Sequence, residues 1–269
     1  MTVTIRFAKW HGLGNHFVLF HAKRSYVTSL TPEFIRAICE THFGVGADGL
    51  MVIADKPSDD GIFDVWMFNP DGTPMGMCGN GIRCVYGYIN RYLKKAPSLT
   101  CRVEGRLVSL SSSTDAGGML ITVAMGSASV GALETIDLAG VSFQGYPVEI
   151  PNPHFIIPVQ TLPTEQELCT FGSRLEHHQR FPQRSNIEFV KMHRPDYVEV
   201  MVWERGAGRT LACGTGACAT AAALCQFQNL LPKSTIKLPG GELSIEVISQ
   251  EIYMTGPAFE IFTGDYIWQ

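Results

Sequence analysis

Two cysteines in this chain each open a glycine-rich turn that leads into an apolar segment with helical character. The first turn is Cys-Gly-Asn-Gly at residues 78–81, and the second is Cys-Gly-Thr-Gly at residues 213–216. The start of a helix carries backbone N–H groups without partners and the positive end of the helix dipole. A thiol placed there is therefore easier to ionise, and an anion beside it is held. One such cysteine suggests a nucleophile or a base, and a matched pair suggests two bases.

Two opposed thiols suit the inversion of a carbon centre, because a proton must leave one face of the carbon and another must arrive on the opposite face. One cysteine would act as the thiolate base and the other as the thiol acid, and their roles would exchange in the reverse direction. Backbone N–H groups of Gly79-Asn80 and Gly214-Thr215 are suitable donors to the charge that develops beside a carboxylate. No electron-sink cofactor is then required, and we expect none.

The elements around the two cysteines repeat along the chain. Each half has the order strands, loop, cysteine, buried helix and further strands, which indicates an internal duplication. We expect an N-terminal domain at 1–127, completed by about 264–269, and a C-terminal domain at 128–263, with both helix starts facing one cleft. Helices are predicted at 32–41 and 164–175 and after each cysteine. Strands are predicted at 3–10, 16–20, 50–54, 62–68, 99–111 (a hairpin turning at 104–105), 141–150, 154–159, 187–193, 197–203, 234–238, 242–248 and 252–255.

The composition restricts the class of partner. The chain has 269 residues, is 45% hydrophobic and carries a formal net charge of −4. This balance provides no basic field for nucleic acid or for an anionic membrane, so we expect a small-molecule partner and allow for a homodimer. The first residues lack an apolar signal core, and no run approaches the roughly 20 apolar residues of a spanning helix, which favours the cytoplasm.

The eight cysteines form no CxxC pair, which is typical of a reducing compartment. Outside the two motifs we expect the cysteines to be core residues: Cys39, Cys84, Cys101, Cys169, Cys218 and Cys225. The spacings of the cysteines match no common zinc site, and we expect no metal.

The order of short motifs along nearly the whole chain resembles that of diaminopimelate epimerases. The shared motifs are His-Gly-Leu-Gly-Asn at 11–15, Gly-Val-Gly-Ala-Asp-Gly at 44–49, Phe-Asn-Pro-Asp-Gly at 68–72, the two cysteine turns, Asn-Pro-His at 152–154, Glu-Arg-Gly-Ala-Gly at 204–208 and Leu-Pro-Gly-Gly at 238–241. The resemblance implies an isomerase that interconverts LL- and meso-diaminopimelate without a cofactor, on the route to lysine and peptidoglycan. It also implies an α/β (α+β) fold of two similar domains, each with a mixed sheet wrapped around a central buried helix.

Carried over position by position, the resemblance makes Cys78 and Cys213 the catalytic acid and base. The carboxylate at the reacting centre would be held by Gly79, Asn80, Gly214 and Thr215. The rest of the substrate would be bound by Asn15, Asn69, Asn152, Asn186, Glu204 and Arg205. A doubly zwitterionic substrate does need an arginine for a carboxylate, an acid for an ammonium group, and amides that both donate and accept.

Three residues of these motifs also have a structural interpretation. We expect His11 to organise its glycine loop, and His154 either to support the fold or to lie behind the site. From its sequence context alone, Asn69 is predicted to cap a turn. Two positions depart from the family pattern, since His16 stands where an aspartate is usual and Arg209 where many members have a glutamate. These departures affect the predicted identity of the substrate more than the predicted type of reaction. Two alternatives therefore stay open: a two-cysteine racemase of the same fold acting on another amino acid, and a non-catalytic thiol or metal-binding protein.

Overall fold

A computed structural model of the protein describes residues 3–268. Contacts divide the chain into two units, residues 3–123 with 256–268, and residues 124–255. The C-terminal segment that joins the first unit is longer than the predicted 264–269, because the last strand pairs with the first over Val3–His11. The outer limits of the predicted domains, residues 1 and 269, lie outside the described part of the chain.

The first unit is a mixed sheet with three helices. Its elements are β1 (Val3–Gly12), β2 (Asn15–Ala22), α1 (Arg24–Val27), α2 (Pro32–Cys39), β3 (Leu50–Ala54), β4 (Phe63–Phe68), α3 (Gly79–Tyr92), β5 (Ser98–Val103), β6 (Arg106–Asp115), most of β7 (Gly118–Ser127), and, at the end of the chain, β18 (Phe259–Trp268). The strand order is β18-β1-β2-β3-β4-β5-β6, with β7 antiparallel to β6.

The second unit repeats this plan. Its elements are β8 (Ser129–Val130), β9 (Glu134–Leu138), β10 (Val141–Ile150), β11 (Asn152–Pro158), α4 (Glu165–Glu167), a π-helical turn (Leu168–Gly172), α5 (Ser173–Glu176), β12 (Asn186–Arg194), β13 (Tyr197–Glu204), β14 (Gly208–Arg209), α6 (Gly214–Phe227), β15 (Lys233–Leu238), β16 (Gly241–Ile248) and most of β17 (Glu251–Pro257). The strands from β10 to β17 follow the order β10-β11-β12-β13-β15-β16-β17.

Strand directions show that the two units share one topology. From β1 to β7 the neighbouring pairs are antiparallel, parallel, antiparallel, parallel, antiparallel and antiparallel. The series from β10 to β17 has the same directions in the same order. The predicted mixed α/β fold with an internal repeat is confirmed.

Each unit packs its sheet against one buried helix. In α3 every residue from Gly79 to Ile89 is buried, and α6 is buried from Gly216 to Leu224. Gly87 shows how closely α3 approaches β1, because a Cβ atom at that position would lie 2.5 Å from the Trp10 ring. The start of each helix is held against its sheet, and these starts carry Cys78 and Cys213.

All eight cysteines are free thiols. Cys39, Cys84, Cys101 and Cys218 are buried as predicted, and Cys225 is partly buried. The prediction of a core role is wrong for Cys169, which is exposed because it lies on the outer side of the π-helical turn while its neighbour Leu168 enters the core.

Within residues 3–268, no helix is both long and apolar enough to cross a membrane. In the same part of the chain, no group of three or more His, Cys, Asp or Glu side chains is arranged to hold a metal ion.

Candidate active site

The two motif cysteines occupy the same structural position in their units. Each is the residue that caps the N-terminus of the buried helix, with an extended backbone. The Cys78 sulfur accepts a hydrogen bond from the Gly81 N–H at 3.4 Å, and the Cys213 sulfur accepts one from the Gly216 N–H at 3.3 Å. The thiols therefore replace the serine, threonine or aspartate that usually caps a helix.

At the start of a helix, the first backbone N–H groups cannot bond to a carbonyl of the same helix, because no preceding turn exists. These positions are Gly79 and Asn80 in α3, and Gly214 and Thr215 in α6. Each start therefore presents donors and a positive dipole end next to a sulfur atom, which is a suitable place for a carboxylate.

In the first unit, Asn15 and Asn80 lie beside Cys78. The Asn15 Oδ1 atom is 4.0 Å from the Cys78 sulfur and accepts a hydrogen bond from Asn80 Nδ2 at 3.4 Å. Asp48 accepts a hydrogen bond from Asn15 Nδ2 at 2.8 Å. The structure thus brings three of the predicted residues together and adds a carboxylate that the sequence analysis did not single out.

Asn69 has the structural role that its sequence context predicts. Its side-chain amide donates to the Thr73 hydroxyl at 2.9 Å and to the Pro74 carbonyl at 3.2 Å. Its carbonyl accepts from the Gly72 N–H, which closes the Pro-Asp-Gly turn after β4. No contact places Asn69 beside Cys78 within the described residues, so its contact with substrate stays a prediction.

In the second unit, the surroundings of Cys213 disfavour the thiolate. Burial raises the pKa of the Cys213 thiol well above its ordinary value, and the carboxylates of Glu204 and Glu188 raise it further. Hydrogen bonds from the Thr215 hydroxyl and the Gly216 N–H act in the opposite direction and are weaker. The expectation that the helix start makes this thiol easier to ionise is therefore wrong for the protein without ligand, because the dipole is outweighed by desolvation and two nearby negative charges.

Glu204 is close to Cys213 and is itself largely screened from water. Burial raises the pKa of the Glu204 carboxyl, and hydrogen bonds from the Thr210 hydroxyl and the Cys213 thiol partly offset that rise. The hydroxyl of Thr210 donates to Glu204 Oε1. A cationic group of a ligand would find here an acidic side chain in a dehydrated setting, where charge pairing is stronger than in water.

We predict that Glu204→Gln lowers the pKa of Cys213, since it removes the nearest negative charge that opposes formation of the thiolate. The alkylation of Cys213 by iodoacetamide, followed peptide by peptide with mass spectrometry, would then reach half of its maximal rate at lower pH than in the wild type. Glu199→Gln is the matched control, because Glu199 lies on the same strand but pairs with His193 at the surface. An unchanged Cys213 profile in Glu204→Gln would contradict the electrostatic assignment.

His154 lies in a fully buried pair with Glu188 behind the site. His154 Nδ1 is 2.7 Å from Glu188 Oε1, and His154 Nε2 is 3.1 Å from Asn152 Oδ1. Each ring nitrogen therefore lies within hydrogen-bonding distance of a side-chain oxygen. His154 is thus a buried residue in contact with Asn152, and its place behind the site stays a prediction together with the role of Asn152.

Asn186 organises the loop that carries Glu204 and Arg205. Its Nδ2 atom donates to the Pro153 carbonyl at 2.8 Å, and its Oδ1 atom accepts from the Arg205 N–H at 2.9 Å. The Arg205 side chain is exposed and donates to the Gln183 carbonyl at 3.2 Å. A buried carboxylate, Glu176, accepts from the Gly206 N–H at 2.9 Å and holds the same loop.

The two residues that depart from the family pattern both interact with acidic side chains of the protein. The His16 ring lies 3.9 Å from Asp48 Oδ2, while Arg209 forms an ion pair with Glu165. His11 organises its loop as predicted, since its Nδ1 atom accepts from the Gly14 N–H at 3.2 Å.

Sequence reasoning missed four charged residues that contact the candidate site residues or their loops: Asp48, Glu176, Glu188 and Arg83, whose Nη2 atom donates to Asn80 Oδ1 at 3.0 Å. The position of Asp48 within a glycine-rich motif pointed to a role for it, but no partner was predicted. Glu188 interrupts an apolar strand, and an acid at a buried strand position is rare unless paired. Glu176 and Arg83 carry no comparable signal, because charged residues on helices are usually solvated.

The family model and the similar curated proteins identify the same family. The profile of the family "Diaminopimelate epimerase" matches residues 7–131 and 146–260. The diaminopimelate epimerase of Nostoc punctiforme is 39% identical, and the alignment covers 97% of this chain and 99% of that protein. The enzyme of the same name from Synechococcus elongatus is 38% identical, with 97% and 98% covered.

Solved structures show the same fold at low sequence identity. A phenazine biosynthesis protein of the PhzF family from Bacillus anthracis superposes with a TM-score of 0.74 at 15% identity, covering 98% of this chain and 99% of that one. A hydroxyproline epimerase from Agrobacterium vitis, solved with bound trans-4-hydroxy-L-proline, has a TM-score of 0.70 at 13% identity, covering 98% and 91%. At these identities the likeness extends to the fold alone.

Proposed function

This chain belongs to the diaminopimelate epimerase family, and on that premise we propose that it interconverts LL- and meso-diaminopimelate by a two-base reaction that needs no cofactor. The observation that carries the proposal is the matched use of Cys78 and Cys213 as helix N-caps, each beside a pair of backbone donors at the helix start. The reaction belongs to the synthesis of lysine and of peptidoglycan precursors.

The two sulfur atoms are assigned opposite roles in any one direction of the reaction. The thiolate of one cysteine removes the α-proton, and the thiol of the other delivers a proton to the opposite face of the same carbon. The carbanion character that develops next to the α-carboxylate is stabilised by the N–H groups of Gly79, Asn80, Gly214 and Thr215. In the protein without ligand, burial and the carboxylates of Glu204 and Glu188 raise the pKa of Cys213 and so favour its thiol form.

The second ammonium and carboxylate of the substrate require partners remote from the reacting carbon. Glu204 suits an ammonium group, which would neutralise the buried carboxylate and remove one of the charges that raise the pKa of Cys213. Arg205 suits a carboxylate, because its guanidinium is exposed and its backbone is anchored by Asn186. The proposed set of side-chain amides that contact the substrate or support those contacts consists of Asn15, Asn69, Asn152 and Asn186. Substrate binding thus also prepares Cys213 to exchange its proton.

We propose a cytoplasmic location, supported by eight free thiols that a reducing compartment preserves. The binding partner is a small amino acid. A homodimer stays a prediction, which a molar mass measured by light scattering tests.

The proposed substrate is tested by offering the enzyme diaminopimelate, lysine, ornithine, histidine and hydroxyproline in separate assays without pyridoxal phosphate, each read by chiral chromatography. We expect inversion of diaminopimelate alone at a substantial rate. Inversion of another amino acid in preference to diaminopimelate would favour the alternative of a racemase with the same fold. The absence of inversion with every substrate, in reduced protein, would favour the non-catalytic alternative.

A further inference from the structure

The motif Gly-Val-Gly-Ala-Asp-Gly at 44–49 takes no part in the proposed chemistry, yet its loop is tightly fixed. The Val45 and Ala47 N–H groups donate to the Ile38 and Cys39 carbonyls at 2.9 and 3.0 Å. Gly44 leaves no room for a side chain, because a Cβ atom there would lie 2.1 Å from the Ala37 carbonyl oxygen. The loop therefore delivers the residue near its end, Asp48, to a defined place.

That place is the turn between β1 and β2. The Asp48 Oδ2 atom accepts from Asn15 Nδ2 at 2.8 Å and from the His16 N–H at 2.9 Å, and the Asp48 N–H donates to the His16 carbonyl at 2.8 Å. A carboxylate only accepts hydrogen bonds, so it fixes which end of the Asn15 amide faces it. The NH2 group of Asn15 is bound to Asp48, and the Oδ1 atom faces Cys78 and Asn80.

The chain of amides ends on a buried cation. Asn80 Nδ2 donates to Asn15 Oδ1 at 3.4 Å, and Arg83 Nη2 donates to Asn80 Oδ1 at 3.0 Å. Arg83 is fully buried and also donates to the carbonyls of Gly79 and Pro257. From the carboxylate to the guanidinium, the donors and acceptors all run in one direction, so each hydrogen bond polarises the next.

We propose that Asp48 is a positioning residue for the Cys78 half of the reaction: it orients the Asn15 amide so that an acceptor oxygen faces the Cys78 sulfur. Asn15 then favours the thiol state of Cys78 over the thiolate and is not available as an N–H donor to the sulfur. The link to Asp48 is the stronger of the two that hold Asn15, because it is shorter and charge-assisted, whereas the contact with Asn80 is long. The catalytic importance of this arrangement rests on the proposed function, but the orientation itself does not.

The test measures the alkylation of Cys78 by iodoacetamide, resolved by peptide mass spectrometry, in reduced protein without substrate. In Asp48→Ala we expect Asn15 to leave the sulfur, so that Cys78 reacts about three- to fivefold faster at a pH just below 8. Asp48→Asn is the matched control: its amide oxygen can still accept from Asn15 and from the His16 N–H, but it carries no charge. Cys78 should therefore react in Asp48→Asn as it does in the wild type.

A double-mutant cycle shows whether Asp48 acts through Asn15. Asn15→Ala should raise the alkylation rate like Asp48→Ala, and the double variant should react no faster than Asn15→Ala alone. Other titratable groups in this region are His11 and His16 from the β1–β2 turn, Cys39 from α2, and Arg83 and Cys84 from α3. None of the substitutions replaces these groups, and resolving the alkylation by peptide separates Cys78 from Cys39 and Cys84.

Two results would overturn the proposal. Equal acceleration in Asp48→Ala and Asp48→Asn would show that only the charge matters, and an unchanged rate in Asp48→Ala would show that Asp48 does not position Asn15. If the alanine variant does not fold by circular dichroism, Asp48→Ser serves the same purpose, because its hydroxyl is too short to reach Asn15. None of these readouts requires turnover, so failure of the proposed function would not be mistaken for failure of this inference.

Discussion

Replacement of Cys78 or of Cys213 by serine is expected to lower the rate of epimerisation by about 10²–10⁴-fold, the usual contribution of a general acid or base. A serine hydroxyl is far less acidic than a thiol, so it can neither exist as the base nor readily give up a proton as the acid. The fold should persist, since serine is a good helix N-cap and can accept the same bond from Gly81 or Gly216.

Circular dichroism and thermal unfolding check the fold of each serine variant, and chiral chromatography measures the rate. Cys169→Ser is the matched control, because Cys169 is an exposed thiol outside both motifs, and it should retain full activity. Wild-type turnover in either Cys78→Ser or Cys213→Ser would contradict the two-base assignment.

Alanine at Gly216 is expected to damage the site, whereas alanine at the equivalent Gly81 should be tolerated. A Cβ atom at 216 would lie 2.6 Å from Glu188 Oε1 and 3.2 Å from the Cys213 sulfur, both of them buried. At 81 the close neighbour is the terminal methyl group of Met51 at 2.3 Å, the end of a flexible side chain. Overpacking that displaces a buried, bonded carboxylate costs about 1–3 kcal/mol, which corresponds to roughly tenfold or more in rate if it falls on the reacting sulfur.

The comparison of the two alanine variants separates local crowding from helix propensity, because both substitutions replace a glycine in the first turn of a helix by a better helix former. We expect kcat to fall in Gly216→Ala and to stay within about threefold of the wild type in Gly81→Ala. Similar activity in the two variants would mean that the contact between Gly216 and Glu188 does not support Cys213.

The parts of the fold that follow from periodicity were predicted well. Leu50–Ala54 and Val141–Ile150 are strands at the predicted bounds, since continuous or alternating apolar residues and flanking turn residues identify them. The hairpin at Glu104-Gly105 also formed as expected, with Val103 paired with Arg106. Both motif cysteines precede their helices directly.

The strands that were missed depend on partners far along the chain. The segment Phe259–Trp268 contains a glycine, exposes several apolar side chains and pairs with β1 at the opposite end of the sequence. Residues 118–127 are also rich in small residues and became a strand by pairing with β6. Local propensity alone cannot identify such strands, because their stability comes from pairing and packing.

In the site, residue types near the cysteines were easier to predict than the groups behind them. Asn15 and Asn80 do lie beside Cys78, and Glu204 lies beside Cys213. The dipole argument was wrong for Cys213, because the sequence does not show that burial and Glu188 would act on the same sulfur. A local motif predicts the helix end, whereas a pKa depends on every charge that the fold brings near it.

The central claim, that two thiols act on opposite faces of one carbon, is tested most directly by early turnover of LL-diaminopimelate in heavy water with reduced enzyme and no added pyridoxal phosphate. The two-base account predicts that the first meso product carries deuterium at the inverted α-carbon while the recovered LL substrate still carries protium. Protium retained in the product, or deuterium appearing equally in product and recovered substrate, would show that a single group handles both faces and would contradict the account.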